Sequence, residues 1–255
     1  MPDAPEETGR LDRGDGVALA WARHAGRGPT VVFLPGFASD MSGGKATALA
    51  EVCREAGRAM LRFDYSGHGA SGGSFTEGTI GRWLDDALAM IDRATEGRLV
   101  LVGSSMGGWL ALLAALVRPA RVAALVGIAA APDFTETLMW QAMAPPEREI
   151  LTRRGYLDVP SQYGPPTRIT HTLIEEGRQH LLLGAPIPLA CPVRLLHGQR
   201  DPDVPWETSL RLADRLESED VQITLIKDGD HRLSRPHDLA LICRTVLDLG
   251  RKDGA

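Results

Sequence analysis

The chain has 255 residues, 44% of them hydrophobic and 24% charged, which is enough material for one sizeable globular core and unlike a disordered or fibrous composition. The net charge of −5, with no basic stripe and no aromatic-basic interleaving, excludes a nucleic-acid partner. Cys53, Cys191 and Cys243 are odd in number and widely spaced, so they form neither a disulfide framework nor a zinc-ligand set, and they suit a reducing compartment.

The segment Met1–Glu7 is acidic and polar, unlike a secretory signal or an Arg-rich transit peptide, and no apolar run is long enough to span a membrane. A cytoplasmic protein without membrane insertion is the expectation. Gly16 to His24 predicts an early strand, paired in a hairpin with a short one before it. The apolar run from Thr30 to Leu34 predicts a buried strand that ends in Pro35-Gly36-Phe37. Lys45 to Glu55 is helical, with Ala46, Leu49, Ala50 and Cys53 on one face. Ala59 to Phe63 is the next strand, and it opens into a turn-rich loop from Asp64 to Gly72. Trp83 to Ala94 is an amphipathic helix. Arg98 to Val102 is a strand, Gly108 to Leu116 a helix that stops before Pro119, and Val122 to Ile128 a further strand. Pro192 to Leu196 and Val221 to Ile226 are strands, and Pro236 to Leu249 is a closing helix. Strands that alternate with helices in this way predict an α/β fold with a mostly parallel central sheet covered on both faces by helices.

The pentapeptide Gly103-Ser104-Ser105-Met106-Gly107 lies between one of these strands and its helix. Strand, G-x-S-x-G, helix is the pattern of a nucleophile elbow, in which small residues let strand and helix close tightly around an exposed serine. A serine hydroxyl is a poor nucleophile until an imidazole takes its proton and a carboxylate orients that imidazole. In such folds the acid and the histidine follow the serine in the chain, in that order. Asp201 sits in the turn after one later strand and His231 after the next, so the expected set is Ser105, Asp201 and His231. Asp203, Asp228 and Asp230 are read as turn or cap residues, His68 and His197 as structural, and His24, His171, His180 and His237 as surface residues. The oxyanion of an attacked carbonyl needs two amide donors, one from Met106 and one from the loop after the first long strand, where Phe37 is the candidate. This chemistry calls for no metal and no cofactor.

Between Ala131 and Pro192 lie about sixty residues punctuated by prolines, too many for a simple connection. Helices over Phe134–Met143, Glu147–Arg154 and Thr167–Leu183 are expected there. The chain therefore divides into a body, residues 1–131 and 190–255, and a small helical cap, residues 132–189. Met139, Trp140, Met143, Leu181, Leu182 and Leu183 are candidates either to line an apolar channel or to pack the cap onto the body.

Several longer runs carry a resemblance. They include Arg62-Phe63-Asp64-Tyr65-Ser66-Gly67, Gly107-Gly108-Trp109, Arg194-Leu195-Leu196-His197-Gly198, Val204-Pro205-Trp206, Asp230-His231-Arg232, Pro160-Ser161-Gln162-Tyr163 and Pro186-Ile187-Pro188. Over nearly its whole length the chain resembles the α/β-hydrolase superfamily, and within it the abhydrolase-domain palmitoyl-protein thioesterases of mitochondria, also described as acyl-glucuronide esterases. The resemblance implies hydrolysis of S-acyl thioesters and activated esters, on small molecules or S-acylated proteins, with nucleophile, acid and base at Ser105, Asp201 and His231. Dehalogenases and epoxide hydrolases of this architecture carry Asp where Ser105 stands. The chain departs from the family at Phe37 and Asp40, each in place of a tyrosine, and a protein without a mitochondrial targeting segment is the expectation.

Overall fold

A computed structural model describes residues 5–161 and 164–249. Met1–Ala4, on which part of the localisation reading rests, and Gln162 and Tyr163 of the resembling run lie outside the described residues. In chain order, β1 (Glu7–Asp12) and β2 (Ala18–His24) form the expected antiparallel hairpin. They are followed by β3 (Arg27–Leu34), α1 (Gly44–Glu55), β4 (Arg58–Phe63) and α2 (Ile80–Ala94). Then come β5 (Leu99–Ser104), α3 (Met106–Val117) and β6 (Val122–Ile128). The chain leaves the sheet there and passes through a π-helical turn at Thr135–Trp140, α4 (Pro145–Arg154), β7 (Tyr156–Ser161), β8 (Gly164–Thr170) and α5 (His171–Gly177). It returns as β9 (Val193–Gly198), α6 (Glu207–Arg215), β10 (Val221–Ile226) and α7 (Pro236–Leu249).

The fold is an α/β-hydrolase fold. Its eight-stranded sheet has the order β1-β2-β4-β3-β5-β6-β9-β10, antiparallel at β1-β2 and β2-β4 and parallel from β4 onward. The alternation of side chains along each strand divides the apolar residues into two cores. Val32, Leu34, Leu99 and Leu101 pack on one face with Trp83, Met90 and Trp109 of α2 and α3. Val31, Phe33, Val100 and Val102 pack on the other with Leu49 and Cys53 of α1 and Ile242 and Val246 of α7. Both faces being buried explains why these strands read as continuous apolar runs rather than alternating ones.

Two readings need correction. The helix expected over Thr167–Leu183 is instead the hairpin β7-β8 followed by the short α5. Pro160, Pro165 and Pro166 argue against strands in a sheet interior, but all three fall in the register shift between the pairs Val159–Thr167 and Ser161–Gly164, outside the regular ladder of a two-stranded hairpin. Gly155, at φ 79, turns the chain out of α4 and into the hairpin. No element is expected from the sequence at α6, whose polar sequence conceals a single buried stripe of Thr208, Ser209 and Leu212. The second correction is His24, read as a surface residue but 5% exposed on β2.

Candidate active site

The tightest turn in the site is the one between β5 and α3. Ser105 adopts φ 53 and ψ −119, a conformation that costs a non-glycine residue about 1–3 kcal/mol and persists only where neighbours hold it. They do. The Ser105 N–H donates to Ile128 O at 2.9 Å, and its carbonyl accepts from the Ala131 N–H at 3.1 Å. A Cβ on Gly107 would stand 2.0 Å from Leu34 O, and one on Gly103 would stand 2.1 Å from Gly107 O. Glycine is thus required on both sides of the serine. The other non-glycine residues with positive φ among those described are Ala38, Ala129, Asp133 and Leu233. Each lies shortly after a sheet strand or beside His231, so backbone strain collects around this end of the sheet.

The three residues expected to act together do meet. Ser105 Oγ–H donates toward His231 Nε2 at 3.1 Å, and His231 Nδ1–H donates to Asp201 Oδ2 at 2.7 Å. Asp201 is fully enclosed, and His231 keeps only 17% of its side chain exposed. The other oxygen, Asp201 Oδ1, accepts the N–H groups of Asp203 and Val204, both at 2.8 Å. Burial pushes the Asp201 carboxyl up, but hydrogen bonds from His197 and His231, the charge of His231 and the Val204 N–H outweigh it and hold the group well below the usual carboxylate range. The carboxylate stays ionised at any pH where the imidazole works. Asp203, read as a turn or cap residue, contributes its backbone N–H to Asp201. One ligand atom from each of Asp201, Asp203 and His231 lies within 4.8 Å of the others. Two of these groups are already bonded to each other, so the cluster is a hydrogen-bonded relay before it is a candidate cation site.

The loop after β3 approaches the serine from the other side. A Cβ on Gly36 would lie 3.4 Å from Ser105 Cβ, so the backbone leading into Phe37 runs directly over the elbow. The Met106 N–H belongs to the first residue of α3, where no intrahelical acceptor is available. The resembling run at the end of β4 secures that loop. Arg62 Nη1 donates to Met41 O at 2.6 Å, and Asp64 Oδ1 accepts from the Met41 N–H at 2.7 Å. The Phe37 ring is packed by Phe75, Trp83 and Phe134 at centroid distances of 5.0, 5.8 and 5.7 Å. Lys45, in the first turn of α1, donates to Arg232 O beside His231. Burial and the nearby Arg232 push the Lys45 amine down to about 8, against the pull of Asp230, Asp201 and Asp238. Sequence reasoning missed Lys45, Arg62 and Asp64, whose roles depend on loops brought together only by the fold.

Ser105 and His231 open onto a pocket of about 1250 Å³. The chain between β6 and β9 provides much of its wall through Phe134, Leu138, Met139, Met143, Leu157, Val159 and Ile169. Of the six residues considered for a channel, Met139 and Met143 line the pocket, whereas Trp140, Leu181, Leu182 and Leu183 are not among its lining residues. Trp140 has the guanidinium groups of Arg148 and Arg178 over its ring at 5.4 and 4.9 Å. Leu183 is buried in the main core and Leu181 is exposed. The expected α-helix here is π-wound over Thr135–Trp140, a widening that changes which side chains face the pocket.

A serine at a strained strand-to-helix elbow, hydrogen-bonded to a histidine on a mostly parallel sheet, defines an α/β hydrolase, and the protein is a hydrolase. The family model described as serine aminopeptidase S33 matches residues 27–155. The chain is 44% identical over 241 residues to the mitochondrial palmitoyl-protein thioesterase ABHD10 of Mus musculus, spanning 94% of this chain and 81% of that one. The structure of the mouse alpha/beta hydrolase domain-containing protein 10 superposes with a TM-score of 0.90 at 42% identity, covering 97% of this chain and 100% of the other. A putative hydrolase from Agrobacterium vitis S4 does so with a TM-score of 0.93 at 40% identity, with the same coverage. The chain belongs to the ABHD10 palmitoyl-protein thioesterase family of α/β hydrolases.

The expected cytoplasmic location is overturned. The relatives from Mus musculus, Bos taurus and Rattus norvegicus are named mitochondrial, which points away from the cytoplasm. That expectation follows by default from a polar N-terminal segment and the want of a long apolar run, and free thiols suit any reducing compartment without singling one out. Among the described residues no helix is long and apolar enough to cross a membrane.

Proposed function

We propose that this hydrolase cleaves acyl thioesters and activated esters through an acyl-enzyme on Ser105. Ser105 Oγ attacks the acyl carbonyl while His231 Nε2 takes its proton. Asp201 remains ionised and stabilises the imidazolium. The Met106 and Phe37 N–H groups receive the developing oxyanion. His231 returns the proton to the departing thiolate or alkoxide, then activates the water that hydrolyses the acyl-enzyme. The residues between β6 and β9 act as a cap that accommodates the acyl chain.

One observation carries this reading: the Ser105-His231-Asp201 relay opens onto a large pocket whose cap side is mainly apolar. Its volume of about 1250 Å³ exceeds the roughly 300–1,000 Å³ of an ordinary small-ligand site, which suits a long acyl chain with its leaving group. The names of the mouse and cattle relatives supply the thioester class. The family model's description raises a peptidase as the second reading. An amide leaving group is harder to expel than a thiolate, and the cap wall is mainly apolar, with Glu147 and Thr167 as its polar members.

A panel of acyl thioesters and p-nitrophenyl esters of graded chain length, run beside aminoacyl anilides, tests the reading. Long-chain thioesters are expected to give the highest kcat/KM, with turnover lost in Ser105→Ala. Preferred cleavage of the anilides, or thioester turnover that survives Ser105→Ala, would overturn it.

A further inference from the structure

Asp201 Oδ2 accepts from two imidazoles. The first is His231, at 2.7 Å; the second is His197, whose Nε2 lies 3.2 Å away. His197 is the fifth residue of β9, has no exposed surface, and precedes Asp201 by four residues across the turn. Its protonation can be read from its partners. Nε2 also lies 3.1 Å from Val204 O, a carbonyl that only accepts, so Nε2 carries a hydrogen. Nδ1 lies 2.7 Å from Ser209 Oγ, in the buried stripe of α6, and in the neutral ring it accepts the hydroxyl proton.

We propose that His197 is a positioning residue for Asp201: its Nε2–H, fixed by Ser209 on the far side of the ring, holds the carboxylate in place and withdraws negative charge from the oxygen facing His231. The proposal rests on the reading of Ser105, His231 and Asp201 given above. With the Asp203 and Val204 N–H groups on Oδ1, all the donors to Asp201 come from β9, its turn and His231. Such a carboxylate cannot rotate away when His231 becomes charged. It also stabilises the imidazolium less than a carboxylate bonded to His231 alone would.

The other charged groups around the pair are Asp203 from the same turn, Asp230 and Arg232 on either side of His231, and Lys45 from α1. They are common to every variant below, so a change between variants reports on His197. Loss of the His197 donor leaves more charge on Oδ2, favours protonated His231, and moves the acid limb of the reaction to higher pH. A merely structural role would lower stability or rate without moving that limb.

The test measures the rate constant for fluorophosphonate labelling of Ser105 against pH, which needs no natural substrate. The low-field Nδ1–H proton signal of His231 is recorded on the same proteins by NMR. His197→Leu is expected to move the acid limb up by about 0.5–1 unit and the proton signal downfield. Ser209→Ala, which removes the donor to Nδ1, is expected to shift both in the same direction by less. His197→Gln places an amide N–H where Nε2–H was and is expected to keep both near the wild-type values. Should His197→Leu fail to fold, the Ser209→Ala and His197→Gln pair decides. An unmoved limb and an unmoved signal in folded His197→Leu, or in Ser209→Ala if the first does not fold, would overturn the role of His197. Failure of wild-type Ser105 to label would instead sink the nucleophile reading, and the NMR signal would still judge His197.

Discussion

The loops at the ends of β3, β5, β9 and β10 and the insertion facing them are held in place by different means. In the loops, backbone meets backbone: a Cβ on Gly107 would come within 2.0 Å of Leu34 O, and one on Gly198 within 2.3 Å of Gly229 O. The second contact brings the turn that carries Asp201 against the turn that carries His231. The insertion meets the body through one backbone pairing, Ile187 with Arg215 and Glu217, and through side chains: Trp109 Nε1–H donates to His180 O at 3.0 Å and Glu176 accepts the Gly81 N–H at 3.0 Å. Its own two ends are joined by Asp133, which accepts the N–H groups of Leu182 and Leu183 at 2.7 and 2.9 Å. Backbone closures leave almost no substitution open, whereas side-chain tethers and apolar walls can be exchanged one residue at a time. On the proposed function, the chemistry sits where the chain has no latitude, and substrate choice sits where it has some.

The comparison can be broken hardest at the loops. Ser105→Ala should lower kcat by about 10⁶-fold, as in other serine triads, with the thermal transition nearly unchanged because no cavity is created. Asp201→Asn should lower kcat by about 10⁴-fold through loss of the imidazole's orientation, while Asp203→Asn, which keeps its N–H to Asp201, should stay within about tenfold. Steady-state kinetics on one thioester separates the two, and a reversal would move the acid by two positions. Gly107→Ala should destabilise by more than about 3 kcal/mol in denaturant titration, since backbone at both Leu34 and Pro35 stands in the way of the new methyl.

Substitutions in the insertion should act more gently and on a different quantity. Met143→Ala should shift the ratio of long-chain to short-chain kcat/KM by about tenfold, with acetyl-ester turnover nearly unchanged. Trp140→Ala should leave that ratio alone and lower the melting temperature, because its ring is packed by Arg148 and Arg178 away from the pocket. A profile that moves with Trp140 and not with Met143 would redraw the pocket wall.

The smallest expected effect concerns pH. Burial raises the Asp133 carboxyl above its ordinary value of 3.8, against the N–H groups of Leu182 and Leu183. Over the window from 3.8 up to the raised value the folded state binds more protons than the unfolded one, so stability falls as pH rises through it. Asp133→Asn should flatten that slope in denaturant midpoints measured across the acid range. An unchanged slope would remove Asp133 from the account.

The same contrast explains what could be read from the sequence. The inner strands were legible because burial on both faces makes each a short apolar run, and the edge strand β10 because its residues alternate; Ser105, Asp201 and His231 were legible because each follows one of these strands in a turn with glycine or proline beside it. His197 was read as structural because the strand pattern shows where β9 ends but not that a ring within it reaches Asp201 four residues on. In the insertion the prolines concealed the β7-β8 hairpin, and helical spacing could not reveal a π-wound turn that points Met139 and Met143 into the pocket while Trp140 packs elsewhere. Residues whose position is fixed by local backbone geometry announce themselves; those fixed by distant partners do not.

The most direct test is to mix the protein with a long-chain acyl thioester, quench in acid before the first turnover is complete, and map the acyl group by peptide mass spectrometry. The account predicts the acyl group on Ser105, forming as the thiol is released and disappearing as the free acid appears, with none in Ser105→Ala. Thiol release without an adduct on Ser105, continuing undiminished in Ser105→Ala, would contradict it.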